Sequence, residues 1–337
     1  MIRLMEICGT HTHAIARAGL KQLLPEGVKL LSGPGCPVCV TPPEAIDALV
    51  SLARRPHLTV CTYGDMLRVP GTSPELSLLK EKARGARVEM VFSPMDALAM
   101  AERDPGQEYV FAGVGFETTA PGTLAAVKAA RDKNVSNFSV FMLLRRIEPA
   151  VRALLADPES CIDGFLCPGH VAVIIGEKGF RFLPEEYRLP AVISGFEPAD
   201  IWLSVKELLR QVREKDPRLV NTYARAVSPE GNPLALALME EMTRPDGALW
   251  RGLGYIEGSA YALNGEYAAW DAAIKFGISL PRQTAPTACR CGEVICGKIE
   301  PAGCPFFGKI CTPESPLGPC MVSSEGSCAA AWTYRWF

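Results

Sequence analysis

The chain has 337 residues, 48% of them hydrophobic and 21% charged, the balance of a folded globular protein rather than a disordered one. A formal net charge of -2 leaves no excess of cations to neutralise a nucleic-acid backbone or an anionic membrane, and no stretch supplies the roughly 20 consecutive apolar residues of a membrane span. Nucleic acid and membrane are therefore not expected as partners, no secretory leader is read in Met1 to Thr10, and a cytoplasmic protein is expected.

Over the first two hundred residues short apolar runs alternate with helical patterns, which predicts an α/β fold with parallel sheets. Strands are predicted at Lys29 to Leu31, Leu58 to Thr62, Val88 to Phe92, Tyr109 to Val114, Phe138 to Leu144 and Gly164 to Cys167. Between them helices are predicted at Pro42 to Ala53, Pro74 to Ala83, Met95 to Glu102, Pro121 to Lys133 and Pro149 to Ala156, several opening on a proline, which suits the first helical turn. Two consecutive α/β lobes are expected, 1–102 and 103–200. After Pro198 longer helical stretches follow, at Ile201 to Glu214 and Pro233 to Met242, and then an aromatic and glycine-rich segment from Trp250 to Tyr267; 201–337 is expected as a third, helical and loop-rich domain.

Thirteen cysteines in a chain of this class need a chemical reason, because thiols in a reducing compartment are more often metal ligands or redox groups than bridges. Seven of them, Cys289, Cys291, Cys296, Cys304, Cys311, Cys320 and Cys328, crowd a Pro- and Gly-rich tail that shows no apolar periodicity and is expected to be ordered by a metal centre. Cys289, Cys304, Cys311 and Cys328 form a C-x14-C-x6-C-x16-C pattern that is not a ferredoxin run. Structural zinc favours paired C-x2-C knuckles, and none occurs after residue 40; a radical-type C-x3-C-x2-C loop is absent as well. An iron-sulfur cluster, zinc and plain thiols all remain open on spacing alone.

Upstream, Cys36-Pro37-Val38-Cys39 follows a predicted strand and opens a helix, where the helix N-terminus favours a thiolate and hence a redox dithiol or an iron-contacting pair; half of a zinc knuckle is the other reading. Cys8-Gly9-Thr10-His11-Thr12-His13 sets a thiol beside imidazoles, a donor set suited to iron, although a buried cysteine with capping histidines would look the same. His170, in Cys167-Pro168-Gly169-His170-Val171, follows a strand at the end where open α/β sheets place ligands, and Asp65, in Thr62-Tyr63-Gly64-Asp65, is a further candidate. Each has a plain alternative, a turn cap for Asp65 and a satisfied histidine for His170. Gly113-Val114-Gly115-Phe116-Glu117-Thr118-Thr119 lies in the same kind of place but lacks a dinucleotide fingerprint.

Taken together, Cys8-Gly9-Thr10-His11, Gly33-Pro34-Gly35-Cys36-Pro37-Val38-Cys39, Pro168-Gly169-His170-Val171, Cys311-Thr312-Pro313-Glu314 and Met321-Val322-Ser323-Ser324-Glu325-Gly326 closely resemble the hydrogenase maturation family HypD, over essentially the whole chain. The resemblance implies two similar α/β lobes and a cluster-bearing third domain. It also implies a scaffold on which the iron of nickel-iron hydrogenase receives two cyanides and one carbon monoxide. By resemblance Cys8 would share that iron with a cysteine of the small chaperone HypC, with the cyanide donor HypE docking on the pair. Cys36 and Cys39 would be a redox pair, with His11, Asp65 and His170 around them. A 4Fe-4S cluster on Cys289, Cys304, Cys311 and Cys328 would supply or relay electrons, and Cys291, Cys296 and Cys320 receive no role. Members of the family usually carry further residues ahead of the first motif, so the packing around Cys8 is where a departure is expected. A different function, a cluster-dependent disulfide reductase working through Cys36 and Cys39, fits the spacing too.

Overall fold

The computed structural model describes residues 1–335. The chain opens with β1 (Ile2–Glu6), α1 (Gly9–Arg17) and β2 (Val28–Ser32), then leaves through α2 (Pro37–Val40) and α3 (Pro43–Ala53). A second lobe follows: β3 (Leu58–Thr62), α4 (Gly64–Leu67), α5 (Leu78–Ala83), β4 (Val88–Met90), α6 (Pro94–Arg103), β5 (Glu108–Gly115), α7 (Ala120–Asp132) and β6 (Phe138–Leu144). Through α8 (Ile147–Ala156) the chain returns to the first lobe with β7 (Gly164–Pro168), α9 (Gly169–Ile175), α10 (Phe182–Glu186), β8 (Ala191–Ser194), α11 (Pro198–Glu214) and β9 (Leu219–Asn221). Helix α12 (Pro233–Met242), a hairpin of β10 (Thr243–Trp250) and β11 (Gly254–Leu263), α13 (Ala272–Phe276), α14 (Cys291–Ile295) and α15 (Ser327–Tyr334) complete it.

The strands form two parallel sheets, ordered β2-β1-β7-β8-β9 and β4-β3-β5-β6, beside the antiparallel β10-β11 ribbon. Parallel strands need crossovers that cover both sheet faces, so their sequences are apolar throughout; all five residues of β3 are buried, as are all five of β7. Met5 lies between Leu31 and Phe165 in the first sheet, and Cys61 lies beside Phe111 in the second. Helix starts follow local chemistry: proline occupies the first turn of α2, α3, α6, α11 and α12, and Ser93 and Asp96 close a capping box on α6.

Two α/β lobes are present, but they are interleaved rather than consecutive. The first sheet draws its strands from residues 2–32 and 164–221 and the second from 58–144, so a boundary at 102/103 falls at the end of α6, inside the second lobe. The boundary expected at 200/201 likewise cuts α11, whose Ile201, Val205, Leu208 and Leu209 pack with Leu4, Leu30, Leu166 and Val192 of the first sheet. The reason is long-range: β1 pairs with β7 across some 160 residues, and nothing local to either strand announces that partner. The tail has apolar burial of its own. Ile295, Met321 and several of its cysteines belong to the same core cluster as Phe165, Phe141 and Trp250, and α15 packs on α1. Among the described residues no helix is long and apolar enough to cross a membrane.

Candidate functional site

The carboxyl ends of the parallel strands gather most of the residues singled out by the sequence, as open α/β sheets do with ligand sites. Cys8 follows β1, the Gly33–Cys36 loop follows β2, Asp65 follows β3, Glu117 follows β5 and His170 follows β7. The Cys8 and Cys36 loops touch directly. The Gly9 N–H donates to the Gly35 carbonyl at 3.2 Å, and a Cβ on Gly35 would stand 2.2 Å from the Cys8 nitrogen, so glycine alone permits the approach.

Cys8 is buried and serves as the N-cap residue of α1; its N–H donates to Glu6 Oε2 at 2.9 Å. Burial, reinforced by the Glu325 and Glu6 carboxylates, pushes the Cys8 thiol up to about 12. Glu6 accepts from the Thr12 hydroxyl as well, and burial outweighs these hydrogen bonds to push its carboxyl up to about 8. Cys36 and Cys39 are joined as a disulfide across the first turn of α2, with the Cys39 N–H 3.1 Å from Cys36 Sγ.

The floor of this cleft comes from the far end of the chain. Ser323 Oγ lies 3.4 Å from Cys36 Sγ and donates to Asp65 Oδ2 at 3.2 Å, and the Ser324 N–H and hydroxyl both reach the same Asp65 oxygen at 2.7 Å. Thr10 Oγ1 donates to Glu325 Oε1 at 2.9 Å, and a Cβ on Gly9 would stand 2.3 Å from that of Glu325. Asp65 is therefore an anchor for the Ser323–Ser324 turn, one hydroxyl away from the dithiol.

The two histidines sit on the β8 side. His11 is wholly buried, its Nε2–H donating to the Gly195 carbonyl at 2.9 Å while Nδ1 has no partner among the described residues; burial lowers its pKa to about 4, which keeps the ring neutral. Phe196 is stacked on both rings, 4.6 Å from His11 and 3.8 Å from the exposed His170, whose pKa burial also lowers. Neither imidazole is hydrogen-bonded to a thiol among the described residues, although the His11 backbone N–H faces the Cys8 sulfur.

In the tail, Cys289, Cys304, Cys311 and Cys328 line one apolar cavity together with Cys291 and Cys320, walled by Phe306, Phe307, Leu317 and Met321. Gly318 makes room for it, since a Cβ there would fall 2.2 Å from Cys289 Sγ. Burial raises Cys328 well above an ordinary thiol, and the neighbouring thiols push in the same direction. No three His, Cys, Asp or Glu side chains among the described residues are arranged to hold a single ion. A cubane, by contrast, needs soft sulfur donors spread around a larger body within an apolar shell, and the donor set fits that need. Cys296 stands apart, its thiol directed to the Gly252 carbonyl at 3.6 Å. Cys61, Cys161 and Cys167 lie outside both centres, two buried in strands and one exposed.

Sequence reasoning missed Phe196, Glu6 and the structural part played by Ser323, Ser324 and Glu325, and it left Cys291 and Cys320 without a place. A cysteine count could have drawn attention to the last two, whereas nothing around Phe196 distinguishes it from a core aromatic.

The HypD model, described as "Hydrogenase formation hypA family", matches residues 1–335. The chain belongs to the HypD family. A hydrogenase maturation factor HypD from Rhodobacter capsulatus is 46% identical over 338 residues, covering 99% of this chain and 89% of its own length. HypD2 of Bradyrhizobium diazoefficiens is 46% identical over 342 residues, with 99% and 90% covered, and HypD of Escherichia coli (strain K12) is 44% identical over 335 residues, with 99% and 89% covered. These relatives are hydrogenase maturation factors by name.

Proposed function

We propose that this chain is a scaffold on which the Fe(CN)2CO unit of nickel-iron hydrogenase is assembled, with Cys8 holding the iron as cargo and Cys36 and Cys39 as the adjacent redox dithiol. The observation that carries this reading is the Gly35 contact, which locks the Cys8 loop onto the dithiol loop at the carboxyl edge of the first sheet. Cys8 offers a soft sulfur donor inside a buried pocket, and iron bound there would draw off the proton that burial otherwise holds on the thiol. Ser323 orients the Cys36 sulfur, and Asp65 holds Ser323. His11 and His170, on either side of Phe196, shape the far wall. A 4Fe-4S cluster on Cys289, Cys304, Cys311 and Cys328, once bound, supplies electrons one at a time. The scaffold works in the cytoplasm with HypC, which gives the iron a second cysteine, and with the cyanide donor HypE.

The experiment is infrared spectroscopy of protein purified anaerobically with HypC. Cyanide and carbonyl stretches are expected from the wild type, and Cys8→Ala is expected to lose them while keeping its fold and its tail iron. Bands that persist in Cys8→Ala refute the assignment. The alternative, a cluster-dependent disulfide reductase, needs the dithiol but not Cys8. Disulfide reduction that survives Cys8→Ala, from a wild type without cyanide bands, would favour that reading.

A further inference from the structure

Arg251 is a buried cation without a carboxylate. It ends the β10 side of the ribbon, is 6% exposed, and forms no ion pair among the described residues. Two carbonyls at the end of α2, the helix that carries Cys39, hold it in place. The Arg251 N–H donates to the Val40 carbonyl at 2.9 Å and Nε–H to the Thr41 carbonyl at 3.2 Å, while Nη2 is buried with no acceptor among the described residues. The next residue fixes the other side. A Cβ on Gly252 would stand 2.5 Å from the Gly292 Cα, so the ribbon turn lies directly against α14, which begins at Cys291.

A guanidinium desolvated in this way is costly unless a counter-charge meets it. Arg251 lines one pocket with Cys289, Gly292 and Cys296, and Cys289 is a wall of the cysteine cavity as well, so Arg251 lies beside that cavity. Thiolates gathered around a cluster are the missing counter-charge. Net charge at the site is also one of the protein's means of setting a cluster's potential.

We propose that Arg251 is the fixed counter-cation of the cysteine cavity, a positioning residue that makes a cluster held there easier to reduce and ties it to the dithiol helix. This rests on the cofactor reading above. A reduced cluster carries one more negative charge than an oxidised one, so a nearby cation stabilises the reduced form and its loss disfavours that form.

The test uses the full chain as wild type, Arg251→Gln and Arg251→Lys, each reconstituted anaerobically with iron and sulfide. Iron and sulfide content is measured first, followed by a dithionite titration monitored by electron paramagnetic resonance. Arg251→Gln is expected to carry the wild-type iron and sulfide but to be harder to reduce, with its one-electron equilibrium shifted at least tenfold, about 59 mV; Arg251→Lys is expected to recover most of the shift. Equal potentials in Arg251→Gln and wild type overturn the proposal and leave the cofactor reading intact. A wild type that takes up no iron and sulfide overturns the cofactor reading and this proposal with it. Should Arg251→Gln lose its cluster, Arg251→Lys decides: a cluster at the wild-type potential upholds the role of the charge, and loss there too assigns Arg251 to packing and overturns the proposal.

Discussion

Replacing Gly35 by alanine would place a methyl group 2.2 Å from the Cys8 nitrogen, 2.2 Å from the Ile7 carbonyl carbon and 2.4 Å from its oxygen. All three are backbone atoms, so no side chain can swing aside and the two loops must part. Overpacking of this kind costs about 1–3 kcal/mol, and the Gly9 to Gly35 hydrogen bond, worth about 1 kcal/mol, is lost as the loops separate. Gly35→Ala is therefore expected to destabilise the protein by roughly 2–4 kcal/mol, read as a lower urea midpoint with an unchanged slope. Its functional effect should be selective. The cyanide and carbonyl bands of the complex with HypC should vanish, whereas iron and sulfide in the tail stay at wild-type levels. Wild-type stability together with wild-type infrared bands would show that the Cys8 and Cys36 loops do not depend on their contact, and the scaffold geometry would fail with it.

Cys304→Ala is expected to lose cluster absorbance and to loosen the last fifty or so residues; unchanged iron and sulfide would remove Cys304 from the ligand set, with Cys291 and Cys320 as the replacements to test. Glu117 has a carboxyl pushed up to about 7 by burial, with one oxygen accepting from the Ile147 N–H at 3.0 Å and the other without a partner among the described residues. Since its folded pKa lies above the unfolded one, its contribution is fully present below about pH 4.5 and is lost as pH rises through 7, an effect of roughly 3 kcal/mol. Glu117→Gln should flatten that part of the pH profile of the urea midpoint, and parallel profiles for the two proteins would contradict the burial argument. Trp250 is fully buried, donates from Nε1 to Ser259 Oγ at 2.8 Å and lies 5.9 Å from the Phe116 ring. Trp250→Ala should cost about 3–5 kcal/mol in denaturant unfolding, and a loss below 1 kcal/mol would mean that the ribbon does not pack on the core as described.

Much of the local structure was legible because burial on both faces leaves a plain mark. Leu58–Thr62, Phe138–Leu144 and Pro233–Met242 occur where the apolar runs and the helical period predict them. The first strand escaped because Ile2 and Arg3 are only partly buried and the strand ends in two residues, Met5 and Glu6, whose roles are tertiary. The β10-β11 ribbon was read as a glycine-rich segment for a physical reason. Its register shifts between Asp246 and Ala248, and a Cβ on Gly247 would lie 2.0 Å from the Tyr255 hydroxyl, so glycine here serves a strand rather than breaking one. Lobe boundaries were invisible because they depend on which distant strands pair. In the site, the proximity of Cys8 to the dithiol loop could be read from motifs at strand ends. The lock on His11 could not, because it depends on Gly195 and Phe196, which follow a strand far along the chain.

Cys320 and Cys328 belong to the cavity, and the residues strung between them, Ser323 to Glu325, reach over to Cys36, Asp65 and Thr10. One short peptide thus has its two ends rooted in one centre and its middle forming the wall of another. Whatever immobilises those roots also completes that wall, so a slack tail would leave the Cys8 and Cys36 loops without the side that Ser323 to Glu325 close.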